Sequence, residues 1–240
     1  MRKFALVTGA SGGIGQAVSV KLAEEGYSLY LHYNQNKEEI NRLLDRLQRI
    51  GGEYIPIQAD LSVPGGYKKI SSNIFSLDAI IHNSGTAQYG LLTEINQTEL
   101  EALMNLHVNS PLLLTKELLP KLLSKGSGNI IVVSSIWGQT GAACEVAYSA
   151  AKGAQIAFAK SLSKEVALNG VRVNAIAPGA VETAMLNDFT EEELETVKSE
   201  IPMGRLALPA DIANAIAFLL SDKASYITGQ VMAVNGGWYT

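Results

Sequence analysis

Phe4-Ala5-Leu6-Val7-Thr8-Gly9-Ala10-Ser11-Gly12-Gly13-Ile14-Gly15 decides the fold. The apolar run reads as a buried strand, the glycines as a tight turn, and the residues from Gly13 onward as the start of a helix. Gly9, Gly13 and Gly15 leave room for phosphate oxygens to approach backbone N–H groups, and the positive end of the helix adds to that site. A strand, a glycine turn and a helix in this order is where a dinucleotide pyrophosphate rests. The spacing puts three residues between the first two glycines, unlike G-x-G-x-x-G. On this stretch alone, a plain strand-to-helix turn without a ligand is the alternative.

Outward from this turn, short β-rich runs alternate with longer helical patterns to the end of the chain. The strand candidates are Phe4 to Val7, Ser28 to Tyr33, Glu53 to Gln58, Ala79 to His82, Asn129 to Ser134, Val171 to Ala177 and Val231 to Val234. Helices are predicted at Gly13 to Glu25, Lys37 to Ile50, Gly66 to Ser72, Gln97 to Leu123, Glu145 to Leu168 and Pro209 to Ser221. This pattern predicts one α/β domain over residues 1–240, a Rossmann-like doubly wound parallel sheet of seven strands with helices on both faces. Ligands in such sheets bind beyond the carboxyl ends of the strands. The segment at about 180–202 breaks the alternation and carries the acidic run Asp188 to Glu195. It reads as a lid, or as a helix with a solvated acidic face.

With 240 residues, 47% hydrophobic and 18% charged, the chain supports one well-filled core. Nineteen basic residues against 23 acids give a net charge of −4, which recruits neither nucleic acid nor an anionic membrane. No apolar run reaches the roughly 18 residues of a membrane helix, and Met1-Arg2-Lys3 leads straight into a strand, so a cytoplasmic location is expected. The single cysteine, Cys144, excludes an internal disulfide and is expected to be a buried, inert thiol. His32, His82 and His107 show no ligand spacing, so no metal site is predicted.

Tyr148 and Lys152 are four residues apart, which places both on one face of a helix. A lysine ammonium beside a phenol favours its ionised form and makes it a usable proton donor near neutral pH. Ser135 lies thirteen positions before the tyrosine.

These residues, taken in order with TGASGGIG at Thr8 to Gly15, NSG at Asn83 to Gly85, Asn109, YSAAK at Tyr148 to Lys152 and PGAVET at Pro178 to Thr183, resemble the short-chain dehydrogenase/reductase family over nearly the whole chain. The segment Tyr226 to Gln230 and Asn235-Gly236-Gly237 are similar to the 3-oxoacyl-carrier-protein reductase branch. The resemblance implies that Tyr148 is the general acid, that Ser135 holds the carbonyl oxygen, and that Lys152 lowers the tyrosine pKa and bonds the nicotinamide ribose. It implies that Asn109 supports a water chain to Lys152. It also implies a cofactor held by Gly9, Ser11, Gly12, Gly13, Ile14, Gly15, Asn34, Asn36, Asp60, Leu61, Asn83, Ser84, Gly85, Tyr148, Lys152, Pro178, Gly179, Val181 and Thr183. For Asp60, a helix cap over Leu61-Ser62 is the alternative. Trp137 and Trp238 are candidates for the substrate pocket, a subunit contact or ordinary packing.

The second strand ends without the acid that bonds the ribose hydroxyls of NAD, and His32 to Lys37 offers neutral donors and one cation, which favours NADPH over NADH. Gly12 stands where many NADPH-using relatives carry arginine. The branch also tends to place arginines before the fifth and sixth strands for an acidic carrier protein, where this chain has Gly126 and Asn169 with Lys125 nearby. The expected activity is reduction of a ketone, first a 3-oxoacyl thioester. Alternatives are a small metabolite, or a ketone-bearing group on a protein such as the aminopentanone of elongation factor P. A regulator that binds nucleotide without turnover is the competing class. Relatives of this branch imply a homotetramer pairing the long fourth and fifth helices.

Overall fold

Runs of β-branched and leucine residues bounded by glycine and polar turns build the sheet, and helices between consecutive strands return the chain to the same edge. The computed structural model describes residues 2–187 and 189–240. Its strands are β1 (Phe4–Val7), β2 (Ser28–Tyr33), β3 (Tyr54–Gln58), β4 (Ala79–His82), β5 (Gly128–Val133), β6 (Val171–Pro178) and β7 (Val231–Val234). All seven pair in parallel in the order β3-β2-β1-β4-β5-β6-β7, the doubly wound sheet expected from the sequence. The order reverses between β1 and β4, which opens a crevice above their carboxyl ends.

The helices are α1 (Gly13–Glu24), α2 (Lys37–Gln48), α3 (Lys68–Ser71), α4 (Gln97–Met104), α5 (Ser110–Lys125), α6 (Trp137–Thr140), α7 (Val146–Val166), α8 (Glu191–Glu200) and α9 (Pro209–Leu220). Residues of α1, α2 and α9 join one core, with Val18, Leu22, Ile40, Leu43, Ile212 and Ile216 packed on Ala5, Val7, Leu29 and Leu31 of the sheet. Residues of α3, α5 and α7 join the other, with Ile70, Leu114, Leu118, Ala159 and Leu162 against Leu6, Tyr30, Ile80 and Ile130. Each strand supplies alternate residues to the two cores, so the central strands are buried on both faces.

Two departures matter for function. The helix expected over Gln97 to Leu123 is broken at Asn105–Asn109 by one turn of π-helix. Pro111, at the start of α5, has no N–H to give the carbonyl four residues earlier, and such a missing donor is a standard cause of a local break. Cys144 is exposed and has φ 60, against the expectation of a buried thiol. Its carbonyl accepts from Gly90 N at 2.9 Å, which ties the strained turn before α7 to the loop after β4.

Candidate active site

Two hollows meet above the carboxyl ends of the strands. The first, about 500 Å³, is lined by Gly9, Ser11, Gly12, Gly13, Ile14, Gly15, Asn34, Asn36, Asp60, Leu61, Asn83, Ser84, Gly85 and Thr183. The second, about 390 Å³, is lined by Ser135, Tyr148, Lys152, Pro178, Gly179, Val181 and Thr183 among others. Ile14, Asn83, Gly85, Thr183 and Met185 border both. Two larger hollows of about 610 and 630 Å³ lie at the opposite ends of the strands around Lys3 and Tyr27, and they gather none of the reactive residues.

The glycine turn is fixed from three sides. Gly9 has φ 65 and donates its N–H to His32 Nδ1 at 3.1 Å, while His32 Nε2 faces the Ala59 carbonyl at 3.1 Å. That pattern requires a neutral ring with its proton on Nε2, and burial lowers the His32 pKa to about 4. Asn83 Nδ2 donates to the carbonyls of Thr8 and Gly9 at 3.0 and 3.2 Å, so the NSG stretch is stitched to the turn. A Cβ on Gly15 would stand 2.1 Å from the Gly9 carbonyl oxygen, leaving no room for any other residue. No side chain caps α1 at Gly12, so its first-turn N–H groups are free to meet an anion in the groove. This donor set fits the pyrophosphate of a dinucleotide. Asp60 lines the groove and also accepts from Ser62 N at 2.8 Å and Ser62 Oγ at 2.6 Å, which closes a turn and is not the expected helix cap, since the next helix begins at Lys68.

Tyr148 and Lys152 lie one turn apart on α7, both buried, and Ser135 follows the end of β5. Ser134 Oγ donates to the Lys152 carbonyl at 2.8 Å, which seats the helix against the strand end. The Lys152 ammonium lies 5.4 Å from the centre of the Tyr148 ring, but its hydrogen bond goes to the Val133 carbonyl at 3.0 Å. Burial lowers the Lys152 pKa to about 7. The Tyr148 pKa is raised, first by burial and then by the Glu145 carboxylate, with the hydrogen bond to Ser135 acting in the opposite sense. This differs from the expectation that the lysine charge lowers the phenol: in this arrangement desolvation weakens the charge of the lysine itself and dominates at the tyrosine.

Asn109 is not brought into the cluster. It is exposed at the end of the π turn, and its Nδ2 donates to Asn105 Oδ1 at 2.9 Å. His107 stands there instead, fully buried, with its ring edge-on to Tyr148 at 5.6 Å between centroids. Its Nε2 lies 3.2 Å from Thr86 N and 3.1 Å from Thr86 O, and its Nδ1 has no partner. Burial and the nearby Lys152 lower the His107 pKa to about 3. The His107 carbonyl, which Pro111 cannot satisfy, accepts from Gln155 Nε2 at 2.8 Å. The signal in the sequence was Pro111, which marks the carbonyl four residues earlier as free.

The second hollow also holds a residue that the sequence reading passed over. Glu145, 7% exposed, lines the cavity three positions before Tyr148, and burial pushes its carboxyl up to about 7. Trp137 and Trp238, in edge contact at 5.3 Å, form part of the wall, and Tyr89 and Phe189, at 5.9 Å, form another part. The segment expected as a lid contributes Met185, Leu186, Phe189, Leu194, Val197 and Glu200. Its acids Glu191, Glu192 and Glu193 occupy the exposed first turn of α8, where they complement the helix dipole behind a Thr190 capping box. Asp188 lies outside the described residues.

A glycine-turn groove joined to a chamber containing a buried tyrosine and lysine defines a dinucleotide-dependent oxidoreductase. Residues 9–239 match the family described as Enoyl-(Acyl carrier protein) reductase. The chain is 54% identical over 241 residues to "Uncharacterized oxidoreductase YmfI" of Bacillus subtilis, covering 100% of both chains. It is 36% identical over 243 residues to 3-oxoacyl-[acyl-carrier-protein] reductase FabG of Staphylococcus aureus, covering 100% of this chain and 99% of that one. The structure of the angucycline C-6 ketoreductase LanV with bound NADP superposes with a TM-score of 0.92 at 29% identity, covering 98% of this chain and 95% of that one. The chain belongs to the short-chain dehydrogenase/reductase family and is an oxidoreductase.

Proposed function

We propose that the chain is an NADPH-dependent ketone reductase in which Tyr148 gives the proton to the carbonyl oxygen and Ser135 holds that oxygen. The observation that carries this reading is the meeting of the Tyr148–Ser135 pair with the glycine groove along a shared border. The bound cofactor supplies hydride. Tyr148 keeps its proton until an oxyanion develops beside it, and Ser135 offers a hydroxyl to the same oxygen. Lys152, with its side-chain nitrogen 5.4 Å from the centre of the Tyr148 ring, lies where its protonated form steadies the phenolate left behind. NADPH over NADH is supported by Asn34 and Asn36 lining the groove where an acid would repel a 2′-phosphate.

For the substrate, a 3-oxoacyl thioester has the staphylococcal relative behind it. The charges around the chamber favour another ketone. Glu145 and Glu200 line it, Lys125 is engaged by Asp78, and Gly126 and Asn169 offer no cation for an acidic carrier. Oxidation of NADPH with acetoacetyl groups on carrier protein, compared with a panel of small ketones, tests both parts. Small ketones are expected to turn over at least as fast as the carrier-borne thioester. A large advantage for the carrier-borne thioester would reverse the substrate reading, and no ketone turnover would remove the function.

We further propose assembly as a homotetramer through the α5 and α7 region, supported by Leu112, Leu113 and Val146, which are 40%, 37% and 46% exposed in the single chain.

A further inference from the structure

We propose that His107 is a positioning residue for this site: it joins the wall of the dinucleotide groove to the proton donor, so that a seated cofactor holds the Tyr148 phenol in line for proton transfer. The inference rests on the ketone-reductase reading above and adds a residue that borders neither hollow.

His107 is tied at both ends. Its Nε2 lies 3.2 Å from Thr86 N and 3.1 Å from Thr86 O, so one tautomer accepts from that residue's backbone and the other donates to it. With either tautomer the ring stays anchored to the loop that follows β4. At the backbone end, the His107 carbonyl accepts from Gln155 Nε2 at 2.8 Å. Tyr148, Lys152 and Gln155 stand at positions i, i+4 and i+7 of α7, which is one face of that helix. One residue therefore links the loop beside the groove to the helix that carries the acid.

The imidazole also fills the space between them. A Cβ on Gly85 would stand 2.7 Å from His107 Cε1, so the ring lies directly against the loop backbone. The same ring meets Tyr148 at 5.6 Å between centroids and 85° between planes, an edge-to-face contact that resists tilting of the phenol. Gly85 borders both hollows, so a dinucleotide that bears on it bears through the imidazole on the tyrosine.

Stability does not account for a histidine at this position. His107 and Gln155 are both buried, and Nδ1 of the first and Oε1 of the second have no partner among the described residues. Such atoms cost stability, and the exceptions belong to functional sites. A leucine would fill the space without that cost, but it could not hold Thr86. Nor does the ring act through charge, since burial and the nearby Lys152 lower its pKa to about 3 and keep it neutral. Shape and anchorage are what it contributes, and both bear on alignment, where a misplacement of about 1 Å costs about 10²-fold in rate.

The test is single-turnover oxidation of NADPH in H2O and in D2O by wild type and His107→Phe, with the ketone that wild type reduces fastest in the panel above. Phenylalanine keeps a ring and loses the anchor on Thr86. The rate constant is expected to fall by about tenfold or more, with NADPH affinity within about threefold of wild type. The solvent isotope effect is expected to rise above that of wild type, because proton transfer becomes the slow step. Damage to packing alone would lower the amplitude and leave the rate constant and the isotope effect where they were. That result overturns the proposal, and so does a slower rate with an unchanged isotope effect. Should His107→Phe fail to fold, His107→Gln, which carries no ring to brace the phenol, is expected to show the same fall and rise and is judged by the same outcomes. A wild type that oxidises NADPH with no ketone removes the reductase reading and this proposal with it, a different result from a working reductase indifferent to His107.

Discussion

At Tyr148, burial and the Glu145 carboxylate act in one direction, both holding the proton on the phenol oxygen. In the proposed reaction the residue is therefore stored as an acid and discharges only when negative charge develops beside it. Tyr148→Phe removes that proton and little else. Turnover is expected to fall by about 10²-fold or more while dinucleotide affinity stays within about twofold, read by fluorescence titration beside a single-turnover assay. An active phenylalanine variant would remove the acid role. Tyr148, Lys152 and Ser135 were legible because their order and spacing belong to the resemblance itself. Asn109 lies on the exposed side of the π turn and His107 on the buried side, a placement that regular helical spacing across the turn does not give. Glu145 was passed over because an acid just ahead of a helix reads as ordinary dipole complementation.

Elements decide where these groups can stand. The strands were predicted within two residues because the buried runs of a parallel sheet are bounded by sharp turn signals. The π turn was not, since periodicity changes by one residue across it and nothing but Pro111 announces the missing donor. The glycine turn allows a sharper test at this scale. A Cβ on Gly15 meets a backbone carbonyl at 2.1 Å, whereas a Cβ on Gly13 meets only the Thr183 side chain, with Cγ2 at 2.8 Å. Gly15→Ala is expected to lower the Tm by several degrees or to prevent folding. Gly13→Ala is expected to keep most of the stability and lose cofactor affinity, because Thr183 borders the groove. Thermal melts with and without NADPH separate the two, and equal melting losses would contradict the packing argument.

Across the whole molecule, three neutral histidines are buried under the sheet and its edges. The pKa values of His32, His82 and His107 are lowered to about 4, 3 and 3, by burial in each case. Each folded value lies below that of a free imidazole, so the unfolded chain binds more protons in the interval between them. The stability these rings contribute is thus full above about pH 6.5 and is lost as pH falls toward 4. Glu145 acts in the opposite sense, its raised pKa costing stability as pH rises through about 7, but it is one group against three. Melting temperature is expected to fall steadily from pH 7 to pH 5, and a flat profile would count against the buried neutral rings. For the assembly, light scattering is expected to give the mass of four chains, and a single-chain mass would remove the proposed tetramer.

Ile14, Asn83, Gly85, Thr183 and Met185 belong to both hollows, so a guest in one becomes the neighbouring wall of the other. Under the proposed function the dinucleotide would form part of the wall of the substrate chamber, so it is expected to arrive first and leave last. Product inhibition is expected to be competitive between the two oxidation states of the dinucleotide and mixed for every other pairing.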